Sequence, residues 1–252
     1  MAILLLRLCA PLQSWGMQSP FTDRDTSLTP TKSGVIGLIC AALGKPRDET
    51  VPPPPDHPGW PSLSELAALK MGVRIDYPGR LQRDYHTVGG WHRKEDSWYG
   101  VPTTDGKSRR TIVSPRWYLA DAVFLVALAG NEQLLEKIYH ALQHPAWQLY
   151  LGRKAFVPSC PVWLKDGFRR GEDDLKGVLT TYPYFCSAKR HPPENLQLEL
   201  EVEYGQGHVV KPDQPRSFVS AERCFGLRHV VTDYVARASL PPAKEATCTC
   251  LF

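Results

Sequence analysis

The sequence predicts an α+β protein on a ferredoxin-like, RRM-like βαββαβ core. Three observations carry this. Over residues 1–160, apolar patterning runs strand, helix, strand, insert, strand, helix, strand. The insert, Pro78 to Pro115, is rich in turn residues and poor in apolar ones. Beyond residue 160 the pattern turns to strands, led by the alternating Leu196–Tyr204, LQLELEVEY. The expected organisation is a core over 1–160, with an insertion at 77–116, and a β-rich C-terminal region over 161–252.

Each element has its own warrant. Ile3–Cys9 is a compact apolar run ended by Pro11 and predicts a buried strand. Phe21–Pro30 is polar and predicts a loop. Thr31 can cap a helix over Ser33–Leu43, with Val35, Ile36, Ile39 and Leu43 on one face and Gly44 as the stop. Arg47–Pro61 carries consecutive prolines at 52–55 and predicts an extended connector. Ser62–Leu66 predicts a short helical turn, and Lys70–Asp76 a second strand. The insert, with Gly79, Gly89, Gly90, Gly100, Pro102 and Gly106, is long for a structureless loop, and such loops are usually functional or disordered. Trp117–Leu128 predicts one long third strand. Asn131 caps a helix over Glu132–Leu142, and a fourth strand is expected around Gln148–Leu151. Farther on, LQLELEVEY predicts a strand with one acidic, solvated face. Phe218–Val219 and His229–Val235 are further strand candidates. Arg169 and Arg170, followed by Glu172, Asp173 and Asp174, predict a mixed surface loop.

Composition bounds the function. With 252 residues, 42% of them apolar, the chain can build a substantial core. A net charge of +4 and a pI near 8.6 are only mildly basic. The distribution says more: Tyr77–Arg116 holds eight Lys/Arg against four acids, so the remainder is close to neutral. Seven cysteines, scattered and without CxxC, predict a reduced, cytoplasmic setting. Cys9 and Cys40 lie in apolar runs and predict core residues. Cys248 and Cys250 lack a paired Cys/His cluster, so no metal is expected. The apolar run Ile3–Leu6 is too short for a signal peptide, and nothing approaches the ~18 apolar residues of a membrane span. No Walker A loop, GxGxxG, HExxH or GxSxG is present, and no cofactor is expected.

Four groups could meet RNA. The turn Gln13-Ser14-Trp15 and the helix start Lys32-Ser33-Gly34 offer polar groups and free backbone N–H donors of the kind that bind phosphate. Arg83-Asp84-Tyr85-His86 admits three readings: a Tyr/His acid–base pair for RNA cleavage by 2′-OH attack, contact with RNA, or plain packing. Trp91–Tyr99, with Arg93 and Lys94, interleaves basic and aromatic residues, and Lys107, Arg109 and Arg110 extend the charge. Single-stranded nucleic acid is held by such a groove, although a solvated hairpin would look the same. Tyr150-Leu-Gly-Arg153-Lys154 either brings backbone and cations to a phosphate or simply ends a strand.

These blocks, taken in order, resemble a known family. Arg7-Leu-x-x-Pro11-Leu-Gln13-Ser-Trp15-Gly16, Pro30-Thr-Lys-Ser-Gly34-Val-Ile-Gly-Leu, Leu43-Gly-x-x-Arg47-Asp48, Asp84-Tyr-His-Thr-Val88, Tyr118-Leu-x-Asp121-Ala-x-Phe124 and Tyr150-Leu-Gly-Arg153-Lys154 are similar to the CasD family. These are RAMP-superfamily subunits of type I-E CRISPR Cascade complexes. The resemblance spans residues 1–160 and weakens after Pro161. It implies a ferredoxin-like core with a long β-hairpin thumb, for which Pro78–Pro115 fits in position, length and charge. It further implies a protein that holds the 5′ handle of the crRNA in antiviral defence. Such a protein caps the foot of the Cascade backbone, touches the large subunit and meets target DNA only through the complex. Related proteins of another subtype cut the precursor RNA, whereas type I-E systems use a separate ribonuclease, so the resemblance implies a non-catalytic subunit. The alternative is a metal-independent endoribonuclease using Tyr85, His86 and a nearby Lys or Arg.

Overall fold

The computed structural model describes residues 1–17, 23–55, 58–89, 100–106, 108–172, 174–185 and 193–241. Strand β1 (Ala2–Cys9) leads through β2 (Leu12–Gln13) to helix α1 (Lys32–Leu43), and short helix α2 (Leu63–Ala68) precedes β3 (Lys70–Tyr77). A hairpin follows, with β4 (Arg80–Val88) and β7 (Ile112–Ala120) as its arms and β5 (Val101–Pro102) and β6 (Arg109–Arg110) farther out. Next come β8 (Val123–Gly130), α3 (Glu132–Gln143), β9 (Trp163–Arg170), α4 (Leu175–Thr181), β10 (Asn195–Val202), β11 (Val209–Ser217) and β12 (Cys224–Ala236). No helix among the described residues is long and apolar enough to cross a membrane.

The main sheet has seven strands in the order β11-β12-β10-β3-β8-β1-β9, with every neighbour antiparallel. Residues beyond 160 therefore supply both edges. β1 reads as an unbroken apolar run because both its faces are covered. Leu4, Leu6 and Leu8 pack with α1 and α3, while Ile3 and Leu5 pack toward α4. Helix α1 begins and ends where the sequence predicts: the Thr31 hydroxyl accepts from the Gly34 N–H, and Gly44 closes the C-terminus.

Several expectations need correction. The predicted third strand is two, broken at Asp121, whose φ of 63° turns the chain out of one sheet and into the other. Gln148–Leu151, expected as a strand, lies in a loop, and the next strand after α3 is Trp163–Arg170. Arg169 and Arg170 therefore sit on β9, where Arg170 pairs with Glu132 and Glu136 of α3. Of the two C-terminal strand candidates, His229–Val235 lies inside β12, whereas Phe218–Val219 falls just past the end of β11.

The acidic face of β10 is covered, not solvated. Glu201 Oε1 accepts from Lys32 Nζ at 2.7 Å, and Glu199 accepts from Lys211 and from the Thr29 hydroxyl. Asp213 takes the Lys32 backbone N–H at 2.9 Å and a two-point contact from Arg228 at 2.9 and 2.7 Å. The C-terminal strands thus supply the anion that the α1 N-terminus attracts. Burial pushes the Asp213 carboxyl up, but the hydrogen bonds and charge of Arg228, aided by the Lys32 N–H, hold it below the ordinary carboxylate value. A depressed carboxylate contributes stability above its unfolded value, about 3.9, and loses it as pH falls through the folded value. The stability gap between wild type and Asp213→Asn should therefore be widest above about pH 4 and close below it. Denaturant titrations across that range check this; a gap independent of pH would refute it.

Candidate nucleic-acid interface

The hairpin grows directly from the centre of the main sheet. In the β3–β8 pair Tyr77 lies opposite Val123, and in the β4–β7 pair Arg80 lies opposite Ala120, so one ribbon continues past a break at Pro78–Gly79 and Asp121–Ala122. Beyond the break the ribbon leaves the core, and all of β4 except the half-buried His86 is exposed. Sequence periodicity gave no strand here because neither face is buried.

Alternation sorts the hairpin residues onto two faces. Leu81, Arg83, Tyr85, Val113, Pro115 and Trp117 share one face. Leu81, Tyr85 and Val113 are exposed there, and the Arg83 guanidinium lies 5.6 Å over the Trp117 ring. Gln82, Asp84, His86, Ser114, Arg116 and Tyr118 share the other, where His86 Nδ1 stands 3.5 Å from Asp84 Oδ2. Tyr85 and His86 therefore point away from each other.

Two loops close around the hairpin base. Arg24 pairs in parallel with Arg116: its N–H donates to the Pro115 carbonyl, and its carbonyl accepts from the Trp117 N–H. Arg153 Nη2 donates to the Trp117 carbonyl at 2.8 Å and to the Arg24 carbonyl at 3.3 Å. Its guanidinium lies 5.4 Å over the Phe156 ring, which is itself 6.1 Å from Tyr118. Burial, then repulsion from Arg116 and Arg24, opposed by Asp84 and Asp25, holds the Arg153 pKa below the ordinary guanidinium value. Cations crowd here, in contrast to the acid-matched cluster at α1. Lys154 beside them is exposed. Farther out, Arg109 Nη1 donates to the Gly100 carbonyl at 3.0 Å, and Arg110 is exposed.

The turn after β1 is buried rather than exposed. Gln13 is fully buried, with Nε2 donating to the Leu8 and Ala122 carbonyls and Oε1 accepting from the Trp15 indole. The Ser14 N–H donates to the Leu151 carbonyl. Trp15 is buried against Gly34, where a Cβ would collide with both the indole and the Thr31 hydroxyl. Ser33 is half-buried, and Lys32 is fully buried on Glu201. In this chain Gln13, Ser14, Trp15, Lys32 and Gly34 are buried or half-buried, and Gln13, Trp15 and Lys32 bond inside the protein. Arg83, Tyr85, His86, Arg109, Arg110, Arg153 and Lys154 remain at the surface or partly so. Arg93, Lys94 and Lys107 lie outside the described residues, as do Cys248 and Cys250. Sequence reasoning did not single out Arg24, Arg116, Trp117 or Phe156, which the fold brings to the hairpin base. The charge excess of 77–116 pointed toward Arg116, but nothing local links Arg24 or Phe156 to the hairpin. No group of three or more metal-ligating side chains occurs among the described residues.

The family model described as CRISPR-associated protein (Cas_Cas5) matches residues 3–231. The CRISPR system Cascade subunit CasD of Escherichia coli K12 is 34% identical over 191 residues, covering 71% of this chain and 77% of that protein. A crystal structure of a Cas protein aligns with a TM-score of 0.69 at 39% identity, covering 95% of this chain and 98% of the other. A chain of a CRISPR RNA-guided surveillance complex aligns with a TM-score of 0.70 at 36% identity, covering 96% and 95%. A family match across nearly the whole chain, joined by close relatives in sequence and fold, places this protein in the Cas5/CasD family of CRISPR-associated proteins.

Proposed function

We propose that this chain is a non-catalytic RNA-binding subunit of a type I-E, Cascade-like surveillance complex, and that it holds the 5′ handle of the crRNA at the base of the β4–β7 hairpin. The carrying observation is the cluster of Arg24, Arg116 and Arg153 on one face of a ribbon that leaves the core, with Arg83 and exposed Tyr85 on its other face. Two-stranded ribbons are marginal alone, and single-stranded RNA is bound by cations on the backbone and rings under splayed bases. The strand order β9-β1-β8-β3, with α1 and α3 as connections, supports a ferredoxin-like core in which the hairpin is the thumb. The surface away from the hairpin is then available to the backbone and large subunits, and target DNA is met only through the assembly.

The opposed directions of Tyr85 and His86 favour binding over cleavage, because an acid–base pair must converge on one 2′-OH. The test is a labelled repeat RNA and its processed 5′ handle, incubated with purified protein in EDTA and scored for binding and cleavage together. Binding without cleavage is expected, and His86→Ala should weaken binding only. Arg83→Gln, Arg116→Gln and Arg153→Gln should each weaken it and flatten the log affinity–log salt slope by about 0.7. Cleavage at one site, abolished by His86→Ala, would overturn the proposal.

A further inference from the structure

Cys9 closes β1, and the chain passes back beside it just before β9. Leu6 is opposite Trp163, and the Arg7 N–H donates to the Val162 carbonyl at 2.8 Å. One step farther, the Ser159 N–H donates to the Cys9 carbonyl at 2.9 Å. This register sets Cys160, in the bend before β9, beside Cys9, and their side chains hydrogen-bond to each other. Arg7, whose guanidinium lies 5.3 Å over the Phe185 ring, also hydrogen-bonds Cys160. Neither is in a disulfide; Cys9 is buried and Cys160 is half-buried.

We propose that Cys9 and Cys160 form a peroxide-responsive dithiol that closes to a reversible disulfide. Cys160 is the attacking sulfur. The bond from the Cys9 thiol, working against burial and joined by the Arg7 charge, pushes its pKa down to about 7. Burial pushes Cys40 up to about 11, which makes it an internal inert control. The Cys160 thiolate attacks one oxygen of a hydroperoxide, the O–O bond breaks, and the other oxygen leaves as water or alcohol after taking a proton. This forms a sulfenic acid on Cys160. The Cys9 sulfur then attacks that sulfur, the S–O bond breaks and water leaves. Two thiols lose two electrons to one peroxide, and a dithiol reductant reverses the step. The bond would tie β1 to the end of the Leu151–Cys160 segment that carries Arg153 and Lys154. It does not depend on what those residues bind.

The test treats the full chain with hydrogen peroxide, blocks remaining thiols with iodoacetamide, and maps peptides by mass spectrometry without reduction. The expected product is a Cys9–Cys160 linked peptide, lost on dithiothreitol treatment, with Cys40 still alkylatable after unfolding. In folded Cys9→Ala, with circular dichroism as the check, Cys160 should pass instead to sulfinic and sulfonic acid. The proposal is overturned if Cys9 and Cys160 are recovered separately while exposed Cys224 is oxidised. It is equally overturned if Cys160 links to another cysteine, or over-oxidises in wild type with Cys9 untouched.

Discussion

Replacing Arg74 by alanine is expected to destabilise the protein by about 3–5 kcal/mol, because it strips one partner from a fully buried ion pair. Arg74 and Asp76 are both wholly inaccessible. Nε and Nη2 of Arg74 hold the two Asp76 oxygens at 2.6 and 3.0 Å. Nη1 donates to the Leu179 and Tyr182 carbonyls and Nη2 also to that of Pro183, while Asp76 accepts the Phe185 N–H. One guanidinium therefore ties β3 to the end of α4 and the segment after it. Alanine would leave a buried carboxylate held only by the Phe185 N–H and three carbonyls that lose the Arg74 donors, a costly loss in a buried site. The thermal midpoint should fall by on the order of 10 °C. Arg74→Met/Asp76→Leu should lose less than the single change, since no charge is stranded. A single variant that unfolds with wild type would show that the pair does not hold α4 in place.

Arg74 also marks the limit of local reading. Elements with a buried face and a cap were legible: β1, α1, β3 and α3 lie close to where apolar period and caps put them. The hairpin arms were illegible as strands because a ribbon exposed on both faces has no apolar alternation. β9 was illegible because WLKDGFRR mixes exposed charges with a buried Gly167, and α4 because LKGVLTT is short and lacks a side-chain cap. What local reading left out is partners distant in sequence. Lys32 looked like a phosphate ligand, and LQLELEVEY like a strand with a wet acidic face. Both motifs were read correctly as charge, but each is the other's counter-ion across 169 residues. The cations that stay crowded are those the fold gathers at the hairpin base from β7 and two loops.

That base rests on Gly152, and Gly152→Ala is expected to damage it without removing a charge. Gly152 has φ of 105°, and a Cβ there would land on the Ser14 carbonyl oxygen, a backbone atom locked by neighbouring hydrogen bonds. Strain from the positive φ together with the collision should cost about 2–5 kcal/mol. The next residue is Arg153, whose contacts with the Trp117 and Arg24 carbonyls require the loop to stay where it is. The fold has other anchors, so the loop should move before the sheet unfolds. Handle RNA should then bind at least about tenfold more weakly, with the salt slope falling by about 0.7, as if one phosphate contact were lost. Arg153→Ala should give the same slope change with a smaller loss of stability. Comparing the two separates placing a charge from owning one. If folded Gly152→Ala bound the handle like wild type, with an unchanged slope, Arg153 would not meet the RNA through the geometry described.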